Sequence, residues 1–93
     1  MLNEYEKQIV GDFYTQLPIV QNKQLKLLWD NCEIIAIFDT CFDDYNQNDE
    51  DDEYTSFAFQ LVSIIGNPPI EISKDNYFII NYHNFPNKIE VIQ

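Results

Sequence analysis

The sequence predicts an α+β fold in which one N-terminal amphipathic helix packs on an antiparallel sheet of about five strands, two of them joined as a long hairpin with an acidic tip. Three observations carry this expectation. Apolar residues recur at three- and four-residue steps only near the N-terminus; beyond residue 30 they alternate or run together in strand-length segments; and Gly, Pro and Asn-rich breaks separate those segments at hairpin spacing. With 93 residues, 45% apolar and 15% aromatic, the chain has enough hydrophobic mass for one core, so a single domain over residues 1–93 is expected.

In chain order, Tyr5, Ile9, Val10, Phe13, Tyr14 and Leu17 mark the buried stripe of the helix, with Glu4, Glu6, Lys7, Gln8 and Asp12 on its polar side. Asn3 is the expected N-cap, the two glutamates favour the positive end of the helix dipole, and Pro18 stops the helix. Ile19 to Trp29 fits helix or strand, with the balance toward a strand ending at an Asp30-Asn31 turn. Residues 33–42 alternate, with Ile34, Ala36, Phe38, Thr40 and Phe42 on one face and Glu33, Ile35, Ile37, Asp39 and Cys41 on the other. Residues 54–65 form a second long strand with Phe57, Phe59, Leu61 and Ile65 sharing a face. After the break at Gly66-Asn67-Pro68-Pro69, the segments 70–72, 77–82 and 88–92 read as shorter strands, with turns at Lys74-Asp75-Asn76 and Asn84-Phe85-Pro86-Asn87.

The distribution of charge is the most informative functional feature. Between Leu27 and Ser73 stand eleven acids and no lysine or arginine, while the rest of the chain balances five acids against five lysines, so the formal charge of −11 belongs to the middle of the molecule. Asp43 to Glu53 holds seven carboxylates in eleven residues. Such a field raises the encounter rate with a cationic partner and repels nucleic acid. The chain has no arginine, the preferred side chain for bidentate phosphate contacts, which also excludes nucleic acid as the expected ligand. A plain alternative is a solvated loop whose charges keep the protein soluble and block edge-to-edge pairing. Against it stands the composition: the charge continues into the first strand through Asp39, Asp43 and Asp44, and Tyr45 and Tyr54 are interleaved with it. The expected partner-binding residues are therefore Asp39, Asp43, Asp44, Tyr45, Asp49, Glu50, Asp51, Asp52, Glu53 and Tyr54.

Other constellations are weaker. Asp44, Asn46 and Asn48 match the first, third and fifth positions of a helix-loop-helix calcium loop, but Asp49 stands where glycine is needed and Thr55 where a bidentate glutamate is needed. No metal and no cofactor is expected. His83, the single histidine, sits at a strand end before a turn and reads as a structural or contact residue. Phosphate-cradling Gly-rich loops, Cys/His metal spacing and Gly-x-Ser-x-Gly elbows do not occur, so an enzyme is not expected. Cys32 and Cys41, nine residues apart on one strand, should face opposite ways as free thiols. The chain has no 18-residue apolar run and no basic, apolar leader, so a cytoplasmic protein without membrane association is expected.

The run Ile35 to Asp44 with the Asp-rich sequence after it and Tyr54, together with Ile80-Asn81-Tyr82-His83-Asn84-Phe85-Pro86, resembles small immunity proteins encoded beside bacterial polymorphic and contact-dependent toxins. The resemblance implies a cytoplasmic protein that binds and blocks the toxic domain of a sibling cell's effector. The charge pattern agrees with it, because many such toxins are nucleases with basic clefts, and carboxylates compete with phosphate for those cations. The same surface physics would serve a phage-encoded DNA mimic that inhibits a defence nuclease, of the anti-CRISPR kind, or a regulatory interaction module.

Overall fold

The computed structural model describes residues 4–46 and 49–92, excluding the side chains of Tyr5, Asn46 and residues 49–52; the expected cap Asn3 lies outside the described residues. Helices α1 (Glu4–Thr15) and α2 (Leu17–Val20) precede strands β1 (Gln24–Trp29), β2 (Cys32–Asn46), β3 (Asp49–Gly66), β4 (Tyr77–Ile80) and β5 (Lys88–Val91). The strands form one antiparallel sheet in the order β4-β3-β2-β1-β5. The α+β class, the N-terminal helix and the long central hairpin are as the sequence predicts.

Helix α1 lays its buried side on the sheet through Val10 and Phe13, with Glu6 beside them, whereas Ile9 and Tyr14 remain exposed. Glu6 therefore belongs to the packed stripe and not to the polar side. Its carboxylate accepts the Thr55 backbone N–H at 2.6 Å, an amide beyond the reach of β4, which pairs no further along β3 than Phe57. A buried carboxylate is costly to desolvate, and this charge-assisted bond offsets part of that cost while satisfying a strand amide with no ladder partner on that edge. Pro18 does not end the helical region either. The break comes at Gln16, and Pro18 sits in the first turn of α2, where its missing N–H has no helical acceptor to lose.

Beneath the helix, the Phe13 ring meets Phe57 at 5.2 Å, Phe59 and Phe85 at 6.0 Å and Phe38 at 6.2 Å. Leu25, Leu27, Ile34, Ala36, Phe78 and Ile80 complete the core on the same sheet face. Phe13 meets Phe38, Phe57 and Phe85 edge-on and Phe59 stacked, and aromatic pairs of these kinds add about 0.5–1.5 kcal/mol each beyond the area they bury.

Two bulges correct the simple alternation expected for the central hairpin. Ile35 pairs with Ser63 and Ala36 with Leu61, so Val62 is an extra residue on β3; Phe38 pairs with Phe59 and Thr40 with Ala58, so Asp39 is an extra residue on β2. An extra residue inverts the facing of everything beyond it. Phe57, Phe59 and Leu61 do share the core face, but Ile65 is turned away and is 68% exposed. On β2, Ile34, Ala36 and Phe38 point into the core while Thr40 and Phe42 point away from it. Cys41 turns inward and packs on the core from the same face as Cys32, contrary to the opposite facing that an unbroken strand implies.

The C-terminal half departs from a chain of hairpins. Residues 70–72 form no strand; Ile70 and Ile72 pack on the core as an irregular segment, and the Ser73–Asn76 turn, with Asn76 at φ 63°, leads into β4. Strand β5 does not return beside β4. The connection crosses the sheet and delivers β5 to the opposite edge, beside β1. On a flat sheet, Ile80 and Lys88 would stand four strand spacings and several residues of rise apart, about 30 Å, which is the full reach of the chain between them. Yet that segment includes a turn closed by Asn84 N–H donating to the Asn81 carbonyl. The sheet is therefore coiled around its core, as its two bulges favour. Trp29 Nε1 donates to the Asn84 carbonyl at 2.8 Å and the Asn87 N–H to the Leu28 carbonyl at 2.7 Å, pinning the crossing segment, while Phe85 drops against Phe13 and Phe57.

Three outcomes are expected. Gly66 has φ 91° and an added Cβ would run into the Asn31 carbonyl oxygen, so Gly66→Ala should lower unfolding stability in urea by about 1–3 kcal/mol. Gly11 meets nothing within 4 Å, and Gly11→Ala should instead stabilise by up to about 1 kcal/mol. Burial pushes the Cys32 thiol above its ordinary pKa and shields it, so a thiol reagent at pH 8 should label Cys41 first, and Cys32 only as the protein unfolds. Equal labelling rates would contradict that assignment.

Candidate functional site: an acidic two-stranded ribbon

The elements flanking the central hairpin stop before its acidic end. β1 pairs with β2 only as far as Ile37, and β4 pairs with β3 only as far as Phe57. The pairs Phe42–Ser56, Asp43–Thr55, Asp44–Tyr54 and Tyr45–Glu53 thus continue as a two-stranded ribbon, about 13 Å long, before the register shifts again between Tyr45 and Asn46. The acidic residues expected at a loop tip are mostly strand residues, because the antiparallel ladder runs unbroken from Ser56 to Glu53 and β3 itself begins at Asp49.

Strand geometry decides which of the expected site residues meet. Asp43, Tyr45, Glu53 and Thr55 share the face that carries α1, and Asp44, Tyr54, Phe42 and Ser56 share the other. The two tyrosines therefore stand on opposite faces of the ribbon. Tyr45 is 58% exposed, while Tyr54 is half-buried, edge-on to Tyr82 at 5.8 Å and to His83 at 5.3 Å. Of the two, Tyr45 is available as a contact residue, and Tyr54 braces the base of the ribbon. Together Asp43, Asp44, Tyr45, Glu53 and Tyr54 border an open cleft of ≈ 240 Å³. Asp39 is not part of that cleft; at its bulge it borders a separate groove with Leu17, Pro18 and Gln21 of the helical segment. The side chains of Asp49, Glu50, Asp51 and Asp52 lie outside the described residues.

Asp44 is held in place by two hydrogen bonds within the ribbon. Its Oδ1 accepts the Tyr45 N–H at 2.8 Å and its Oδ2 accepts the Ser56 hydroxyl at 3.1 Å. These bonds fix the group's orientation and use only part of its acceptor capacity. They also give Asp44 a local role that competes with the calcium-loop pattern. Among the described residues no group of three or more His, Cys, Asp or Glu side chains is placed to hold a metal ion. Cations lie elsewhere: Lys26 pairs with Glu33 at 3.2 Å, and Lys88 pairs with Glu90 at 2.9 Å, its hydrogen bond and charge holding the Glu90 carboxyl below the usual range.

His83 donates its backbone N–H to the Asn81 side chain at 2.9 Å and stacks at 4.0 Å on Tyr82. With Tyr82 it forms the buttress on which Tyr54 rests, a role that sequence spacing does not reveal because the two segments are nearly thirty residues apart. Simple alternation also misplaces Phe42. The Asp39 bulge sets it outward, two residues from Asp44 on the same face.

If Tyr54 is a brace, Tyr54→Ala should cost about 1 kcal/mol and speed amide exchange in residues 42–45 and 53–56, leaving exchange in the Ile34–Phe38 ladder unchanged at matched global stability. Uniform acceleration throughout the sheet would assign Tyr54 to the core instead. No described helix is long and apolar enough to cross a membrane. No family model matches the chain, and no curated protein or solved structure matches it.

Proposed function

We propose that this chain is an immunity protein: a cytoplasmic, stoichiometric inhibitor that neutralises a bacterial toxin, of nuclease type, by laying its acidic ribbon over the toxin's basic substrate cleft. The observation that supports this most is the meeting of charge and architecture. The net charge of −11 resides in one central segment, and the densest part of that segment is the ribbon that extends past its flanking strands. A narrow projecting ribbon fits a cleft shaped for a nucleic-acid strand, and carboxylates spaced along it compete with phosphates for the same lysines and arginines. Self-repulsion among those carboxylates disfavours the free fold, and a cationic partner relieves it. The protein acts in this reading by binding and not by catalysis, with Tyr45 as the contact residue nearest the acids and Asp43, Asp44, Asp49, Glu50, Asp51, Asp52 and Glu53 as the charge.

Affinity capture from the native strain should retain a basic toxin domain one-to-one, and adding the purified protein back should abolish that domain's nuclease activity. Neutralising Asp49, Glu50, Asp51 and Asp52 to their amides should slow association several-fold at low salt, and the difference should shrink above about 0.15 M salt, where screening sets in. An association rate that does not respond would remove the ribbon from the mechanism. Capture of a nucleic-acid-cutting defence enzyme in place of a toxin would turn the reading to a DNA mimic, and capture of no basic protein at low salt would leave the acids as a solubility device.

A further inference from the structure

The sheet has a second face. Both helices pack on one side, through Val10, Phe13 and Val20, and none of Leu28, Ile35 or Ile37 joins the core they cover. An antiparallel sheet with one face in water ordinarily carries polar residues there. This one carries Ile35, Ile37 and Phe42 along β2 and Ile79 and Tyr77 along β4, with Ala58 between the two strands, Thr40 and Gln60 as its polar interruptions, and Phe42 40% and Ile79 45% exposed. The Asp39 bulge brings Phe42 onto that face beyond Thr40, at the start of the ribbon, where Asp44 follows it on the same side. An apolar surface of this extent bordered by fixed charge has the composition of an interface.

Charge selects the occupant. A second copy of this chain would bring another −11 against the same acidic border, and the two lysines that reach this face, Lys26 and Lys88, are already paired with Glu33 and Glu90. We propose that the helix-free face, from Ile37 and Ile79 up to Phe42, docks an apolar segment of the same cationic protein that the ribbon attracts. The inference rests on the ribbon reading above and adds a division of labour: carboxylates set the encounter, and burial of Phe42 and Ile79 sets the residence time.

Two synthetic peptides of equal lysine content test it against the labelled full-length protein, one alternating Lys with Leu and one alternating Lys with Ser. The Lys/Leu peptide should bind about ten-fold tighter or better at physiological salt and shift the amides of Ile35, Ile37, Phe42 and Ile79 as well as those of the ribbon. The doubly substituted protein Phe42→Ser, Ile79→Thr, checked for an unchanged melting transition, should bind both peptides alike and keep the ribbon shifts. Equal affinity of the two peptides for the unsubstituted protein, or shifts confined to the ribbon, would overturn the docking face and leave the ribbon reading standing. Failure of both peptides to bind at low salt would overturn the ribbon reading and this inference together. A concentration-dependent dimer in sedimentation, dispersed by Phe42→Ser, would assign the face to a second copy and overturn the proposal.

Discussion

The contact on which the fold most depends is the seating of Phe13 among Phe38, Phe57, Phe59 and Phe85. One ring joins the helix to both central strands and to the segment that carries the chain across to β5. The helix and the edge strand that this arrangement positions are weak on their own. An isolated helix of twelve residues is marginal in water, and a four-residue edge strand has few ladder bonds to hold it. Glu6 ties the same helix to β3 at Thr55, so the helix is fastened at the level of the core and again at the base of the ribbon. Removing the ring would loosen packing among three parts of the chain at once, which is why the cluster is aromatic: few side chains reach four neighbours at 5 to 6 Å.

The ribbon is the counterpart of this cluster. It carries the greatest density of like charge where it runs past its flanking strands, and its base is held by Glu6 on one edge and by Tyr54 against Tyr82 and His83. Hydrogen bonds from Tyr45 and Ser56 orient Asp44 within it. In the function proposed above, the stability given up for concentrated charge is recovered on binding, since like-charge repulsion in the free protein becomes attraction once a cationic surface arrives.

The bulges at Asp39 and Val62 connect the fold to the surface chemistry. Bulges favour the curvature that lets the crossing segment reach the far edge, and the first also exchanges Cys41 and Phe42 between core and outer face. Without that exchange Phe42 would be buried and the outer face would end in the thiol of Cys41. The same irregularity that closes the core therefore places a large apolar side chain next to the acids.

Local pattern in the sequence determined the helix near the N-terminus, the α+β class, the long central hairpin, the Asp30-Asn31 and Lys74-Asp75-Asn76 turns and the segregation of charge, because each follows from residue types a few positions apart. The tertiary structure alone decided the rest. Whether Glu6 is wet or buried depends on a strand amide 49 residues away. Whether Phe42 and Cys41 point in or out depends on one unpaired residue whose cost is offset by the curvature of the whole sheet. Whether β5 returns beside β4 or crosses to β1 depends on Trp29, Leu28 and Phe13 offering partners to residues 84–87. Hydrophobic periodicity records which residues favour burial; it says nothing of the partner across the sheet, and here that partner decides which side chains the ribbon and the outer face present.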